Sequence, residues 1–310
     1  MKAVMYHYVR PKDLNFPGLY RLDYNDFKNQ LDYFQKNYGF IDRNKFIDVL
    51  KNKDEIPKGV VLTFDDALSC HYNYVFKELK KRNLWGIFYV PTLPFSNNKI
   101  LDVHRIHILI SRISSKLIYE NLMEKEIHKL FDESKLEEFN QLTYWNQTND
   151  QYTLLVKRIL NYFIKYEYRE KEIDNLFKLF IPNKISVDEF YLSIDNLKEM
   201  KSDGMIIGSH TVSHKVMSKL PVKIQKQEIF DSFNYIEQRL GYSDLKTFCY
   251  PYGGFHSFND NTEQMLNKMN VDFSFNVEER DVSKFDLLNR KQALPRYDCN
   301  HFKYGKTKNA

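Results

Sequence analysis

With 310 residues, 43% of them apolar and 15% aromatic, the chain has material for a large core, as one domain or as one domain with a sizeable insertion. Its net charge of +5 is small for that length and Lys and Glu are interleaved, so nothing marks a nucleic-acid footprint, although weak attraction to anionic glycans or phosphorylated sugars is compatible with it. No window approaches the roughly 18 consecutive apolar residues of a membrane span, which excludes a transmembrane helix at this level.

The first residues, Met1 to His7, enter a strand-like run directly, without the apolar segment and small-residue cleavage site of a signal peptide. Cys70, Cys249 and Cys299 stand in dissimilar contexts with no Cys-x-x-Cys pair. Together these features suggest a reduced, cytoplasmic protein, peripheral membrane association being compatible, although a chain trimmed of a leader reads the same way. His7 ends the first run, where a histidine is commonly a structural residue hydrogen-bonded in place. Between Asp23 and Lys51, Phe27, Leu31 and Phe34 and then Phe46, Val49 and Leu50 predict two amphipathic helices interrupted at Tyr38-Gly39.

Gly59 precedes Val60-Val61-Leu62-Thr63-Phe64, a run of buried-strand character that ends in two adjacent carboxylates, Asp65 and Asp66. Side chains alternate along a strand, so the two acids should have different jobs. An Asp or Ser69 capping the following helix, Tyr72 to Arg82, would look the same. Gly86 to Val90 is a second buried strand, stopped by Pro91, and strand, helix, strand of this length implies a right-handed parallel crossover.

Residues 102–186 break the alternation. They are rich in Leu, Ile, Lys and Glu, nearly free of Gly and Pro, and periodic at Ile106, Leu109, Ile110 and Ile113 and again at Leu154, Leu155, Ile159 and Tyr162, which predicts an inserted helical cap. Asp102, His104 and His107 invite a metal-site reading, but polar residues on the exposed face of a first helical turn explain them as well. A cap of this kind suits substrate selection or oligomer contacts.

Leu192 to Met200 predicts a helix closed at Asp203-Gly204. Met205-Ile206-Ile207-Gly208-Ser209 is again a short apolar run, now leading to His210 and His214, and a helix or tight turn beginning there puts both imidazoles on one face. Two histidines and a strand-terminal Asp make a three-ligand set with a position left open, the pattern of a catalytic rather than a structural zinc. Pro221 to Leu240 predicts a long helix turning Ile224, Ile229, Phe233 and Ile236 inward, and the Phe248 strand follows, with Gly253-Gly254 letting the backbone turn closely past a ligand. Asn276 and Leu294-Pro295-Arg296 fall in later strand or loop segments, and the tail after His301 reads as disordered.

Thr63-Phe64-Asp65-Asp66, His210-Thr211-Val212-Ser213-His214 and Phe248-Cys249-Tyr250-Pro251-Tyr252-Gly253-Gly254 resemble, in order, the first three motifs of the NodB-homology polysaccharide deacetylases, carbohydrate esterase family four. The resemblance implies an α/β fold, a distorted (β/α) barrel built from residues 1–101 and 187–300, with 102–186 inserted and 301–310 as a tail. It implies a divalent metal, most naturally Zn²⁺ with Co²⁺ or Ni²⁺ as alternatives, on Asp66, His210 and His214, and Asp65 as general base. Tyr250, Pro251, Tyr252 and Gly253 would wall the groove, with a backbone N–H from this region for the oxyanion. Val4-Met5-Tyr6-His7 is similar to the family's closing Leu-x-x-His motif, carried at the front in members that look circularly permuted, which makes His7 the first candidate for the general acid and His256 and His301 the reserves.

Two departures stand out. Phe248 occupies the place of the third motif's Arg, and no Asp-x-x-Asp-Trp stretch is present. Arg296 is a candidate substitute for that Arg, or a surface or phosphate-contacting residue. The function implied is a metal-dependent hydrolase taking N-acetyl groups from an amino sugar in a glycan, lipid-linked or nucleotide-sugar substrate, in surface-polysaccharide synthesis. The alternatives are a deacylase for another N- or O-acyl group, or a non-catalytic glycan-binding protein; the presence of both Asp and both His residues argues against the last. Oligomeric state is not legible in the sequence.

Overall fold

The apolar runs become strands of one parallel sheet: β1 (Lys2–Tyr6), β2 (Val60–Phe64), β3 (Ile87–Val90), β4 (Ile206–Ser209), β5 (Thr247–Cys249), β6 (Phe273–Phe275) and β7 (Tyr297–Asp298). The computed structural model describes every residue except 14, 53, 54, 146, 148, 182, 184 and 310. The strand order is β6-β5-β4-β3-β2-β1-β7, and every pairing is parallel. The short segment 294–298 links the two sheet edges, since Leu294 bridges to Phe275 while Tyr297 pairs with Val4. The sheet is therefore a curved half-barrel within an α/β layer of helices.

Strand alternation sorts the core into two clusters. Val4, Tyr6, Leu62, Phe64, Phe88 and Val90 pack with the helical residues Phe27, Leu31 and Phe34, whereas Ala3, Val61, Ile87, Tyr89, Cys249, Phe273 and Phe275 pack on the other face. Phe64 lies stacked between Tyr6 and Phe88, at ring separations of 5.2 and 4.7 Å, so truncating it to Ala should cost about 3–5 kcal/mol. Because all strands run the same way, the residues that follow β1, β2, β4 and β5 share one rim.

The helices at Tyr24–Asn37 and Arg43–Asn52 form where the periodicity places them, the first capped by Asp23. The segment after the Asp pair departs from a plain helix: it is π-helical over His71–Phe76 before a short α-helix at Lys77–Lys81. In the helix Val222–Leu240, Ile229, Phe233 and Ile236 are buried but Ile224 is exposed, because the buried stripe runs through Gln225 and Glu228 at that end.

The chain divides into two compact units, one of residues 1–12, 20–99 and 187–308, the other chiefly 13–19 and 100–186. The second is helical, with helices at Asp102–Arg112, Ser115–Glu124, Leu136–Leu142, Gln151–Arg158 and Tyr166–Phe180 around Ile106, Leu109, Ile118, Leu122, Ile173 and Leu176. His104 is fully buried there, not on an exposed first turn as its polarity suggests, because the Asp102–Arg112 helix is covered on more than one side. Neither His104 nor His107 joins a ligand cluster among the described residues. The stretch after His301 is packed instead of loose: Gln30 donates to the Lys303 carbonyl, and Arg21 and Lys308 exchange backbone hydrogen bonds at 2.9 and 2.8 Å. No described helix is long and apolar enough to cross a membrane.

Candidate active site

At the rim, β1 and β2 continue their ladder one step past their ends, the Asp65 N–H donating to the Tyr6 carbonyl at 3.0 Å. This sets His7 beside the Asp pair. Its Nε2 is 4.0 Å from both Asp65 Oδ2 and Asp66 Oδ2, and the side chain is 40% exposed. Asp66 adopts φ +82° and Ala67 φ +53°, so the strand alternation stops at Asp66 and both carboxylates reach the rim. Strained backbone of this kind persists where the surroundings over-determine it.

The two acids take different partners. Asp65 is 2% exposed and receives both arms of the Arg296 guanidinium, Nη1 to Oδ1 at 2.8 Å and Nη2 to Oδ2 at 2.7 Å. Arg296 also donates to Thr63 Oγ1 and lies 3.0 Å from Cys249 Sγ. Burial pushes the Asp65 carboxyl up, but the charge of Arg296 and its hydrogen bonds outweigh it and hold the group below its ordinary value. Asp65 is thus an oriented carboxylate, not a buried acid.

Asp66 Oδ1 faces the histidine pair, 3.6 Å from His210 Nε2 and 3.2 Å from His214 Nε2. No helix produces the pairing; β4 ends at Ser209 and the chain turns tightly, with Thr211 at φ +67° and His214 at φ +53°, which leaves the imidazole centroids 4.7 Å apart. His210 Nδ1 is 2.7 Å from the Cys249 carbonyl, so Nδ1 carries the proton and Nε2 offers its lone pair. Burial, and next the neighbouring His214, lower the His210 pKa to about 4, which keeps it neutral and ligand-competent.

The donor set fits a metal ion. A tetrahedral ion with bonds of about 2.0–2.2 Å holds its ligand atoms roughly 3.3–3.6 Å apart, close to the spacings seen from Asp66 Oδ1. A second trio, Asp65, His210 and Cys249, has its ligand atoms within 4.8 Å of one another, but the Arg296 charge already lies against two of its three members and excludes a cation.

The third motif forms a turn beside this set. The Gly253 N–H donates to the Tyr250 carbonyl at 3.2 Å, Tyr252 sits at φ +66° with its ring 5.1 Å from that of His214, and Pro251 is buried. The Tyr250 side chain is buried, its hydroxyl donating to the Gln292 carbonyl at 2.6 Å. Gly253 has φ +62°, and a Cβ there would fall 2.3 Å from Val277, so no other residue fits the turn without movement. Of the reserve acids, His301 lies 3.6 Å from Glu279, and the His256 ring packs over Gly254.

Several supporting residues escaped the sequence reading. His71 Nε2 is 2.7 Å from the His7 carbonyl and fixes that backbone, and Glu228 binds the loop between the two histidines. The one available signal for Glu228 was its place on the stripe of residues 225, 228, 229, 232 and 236, where a buried acid needs partners.

The half-barrel with its surrounding helices is the fold of solved polysaccharide deacetylases. Residues 172–274 match the model of the polysaccharide deacetylase family, a stretch holding His210, His214 and Tyr250 to Gly253, with His7, Asp65 and Asp66 outside it. The fold is similar to a Streptococcus pyogenes deacetylase, PplD, in complex with acetate (18% identity, 96% of this chain and 91% of that one, TM-score 0.58). It is also similar to IcaB from Ammonifex degensii (17%, 89% and 82%, TM-score 0.51) and to a de-N-acetylase from Aggregatibacter actinomycetemcomitans (16%, 96% and 93%, TM-score 0.52). No curated protein sequence matches the chain.

Proposed function

We propose that this domain is a metal-dependent hydrolase that removes N-acetyl groups from an amino sugar in a glycan, lipid-linked or nucleotide-sugar substrate in surface-polysaccharide synthesis. The observation that carries the reading is the pairing of an Arg-gripped carboxylate, Asp65, with an adjacent Asp, His, His donor set. A binding module would need neither together. The name of the Aggregatibacter neighbour, a de-N-acetylase, favours nitrogen over oxygen as the leaving atom.

Asp66, His210 and His214 would hold the divalent ion, with Zn²⁺ favoured by the nitrogen-rich set and Co²⁺ or Ni²⁺ as substitutes. When bound, such an ion lowers the pKa of a water and polarises the acyl carbonyl. Asp65 takes the proton of the attacking water, and the grip of Arg296 aims its carboxylate while keeping it ionised. A backbone N–H of the Tyr250–Gly253 turn faces the developing oxyanion, with Tyr252 as groove wall. His7 donates a proton to the departing amine nitrogen. The position of His7 directly after β1, a strand that lies between β2 and β7, supports the reading of β1 as the family's closing strand moved to the front.

The test is the appearance of free amine and acetate, in equal amounts, from a panel of N-acetylated monosaccharides, oligosaccharides and nucleotide sugars with metal-loaded protein. Acetate without amine, from O-acetylated sugars run beside that panel, would indicate an O-acyl substrate; neither product, with glycan retained, would indicate a binding protein.

A further inference from the structure

The loop from His210 to His214 carries two proposed metal ligands on a backbone that two residues hold in the left-handed region, Thr211 and His214. L-residues populate that region only against a steric cost, so something outside the loop must hold it. The His210 ring is fixed by the Cys249 carbonyl. His214 is tied into the loop by its N–H, which donates to Thr211 Oγ1 at 3.0 Å.

The clamp comes from the Val222–Leu240 helix. Glu228, 8% exposed, accepts the Val212 N–H at 2.9 Å and the Ser213 N–H at 2.8 Å on Oε2, and the Ser213 hydroxyl on Oε1. One turn further along, Ser232 Oγ lies 2.6 Å from Ser209 Oγ, which in turn accepts the Thr211 N–H at 3.3 Å. Glu228 thus occupies two of the three backbone donors between the histidines, Ser209 taking the third, and hydrogen bonds to a carboxylate acceptor are the strong ones.

We propose that Glu228 is a positioning residue that holds the His210–His214 loop in its metal-ligating conformation, so that its loss weakens metal binding in a folded protein. This rests on the metal site proposed above. Residues behind metal ligands commonly change affinity by about 10–100-fold when removed.

The experiment measures the Kd for Co²⁺ by chelator competition, the Co²⁺ visible absorption and the metal-free melting temperature. The proteins compared are wild type, Glu228→Ala, Glu228→Gln and the exposed control Gln227→Ala. The expected result is a Kd raised about 10–100-fold in Glu228→Ala with an altered Co²⁺ spectrum, a smaller rise in Glu228→Gln, which keeps an acceptor oxygen, and no change in the control. If Glu228→Ala fails to fold, a raised Kd and altered spectrum in folded Glu228→Gln carry the proposal. A Glu228 variant that melts lower but binds Co²⁺ with wild-type Kd and spectrum overturns it, reducing Glu228 to a structural residue. Wild type that binds no Co²⁺ overturns the metal site itself, an outcome distinct from the previous one.

Discussion

Arg296 and Asp65, separated by 231 positions in sequence, meet inside the barrel as a two-armed ion pair at 2.8 and 2.7 Å, with 1% and 2% of their side chains exposed. The pair joins the end of β2 to the segment that links the sheet edges. It serves the fold and the proposed chemistry together, since the same contact that closes the half-barrel aims the carboxylate.

Breaking that pair should therefore cost stability and activity. Removing one partner of a buried pair typically costs about 3–5 kcal/mol, and Lys cannot reproduce the two-armed contact, so Arg296→Lys is expected to melt well below wild type. Because pairing depresses the Asp65 carboxyl, its stabilisation is fully present above the unfolded carboxylate value of about 4 and is lost as pH falls through the lower folded value. The wild-type advantage over Arg296→Lys should thus hold at neutral pH and shrink under acid. Melting curves across pH measure it; an advantage that grows on acidification contradicts the assignment.

His7, as proton donor to a leaving amine, should matter only when the leaving group needs a proton. His7→Gln is expected to slow N-acetyl amide cleavage by about 10²–10⁴-fold while sparing an aryl acetate ester whose phenolate leaves unaided. Equal loss on both substrates would move the acid role to His256 or His301.

The return segment 187–192 offers a separate handle on Asp66. The Leu192 N–H donates to the Ala67 carbonyl at 2.9 Å, Leu68 bridges to Tyr191, and Ser69 Oγ donates to the Glu189 carbonyl at 3.0 Å, so this segment holds the loop that follows Asp66. Leu192→Pro removes the first of these donors and should weaken Zn²⁺ retention during dialysis against chelator. Retention equal to wild type would show that β2 alone sets Asp66.

All three cysteines are free and buried, and burial raises the Cys70 thiol to about 11 and the other two well above their ordinary value. The native protein should resist aromatic disulfide reagents and release three equivalents of thiolate only after unfolding. Fast labelling of the native state would place a thiol at the surface.

The parts of this architecture legible in the sequence are those with local signatures. The Val60–Phe64 run, the Asp65-Asp66 step and the His210–His214 spacing each lie within a few residues, so strand character and the carboxylates and imidazoles at the strand ends can be read together. Arg296 was ambiguous because its partner is remote, and only the fold shows that Leu294 and Tyr297 bring it into the barrel. Glu228 and His71 act through backbone atoms of other segments, contacts that leave no pattern in composition or periodicity. The final stretch was misread because polar residues suggest a loose end, yet Gly305 packs against the Cys299 carbonyl so closely that a Cβ would lie 1.7 Å from it. His104 departs from expectation in the other direction, a polar residue that is buried inside a helical unit.

The most direct measurement is acetate release from an N-acetylated oligosaccharide by Zn²⁺-loaded wild type and Asp65→Asn, with metal content determined on both samples. If Asp65 is the base and Asp66, His210 and His214 hold the metal, Asp65→Asn keeps its zinc and loses release, and chelator abolishes release by wild type. Undiminished release by zinc-replete Asp65→Asn, or by wild type stripped of metal, would contradict the assignment.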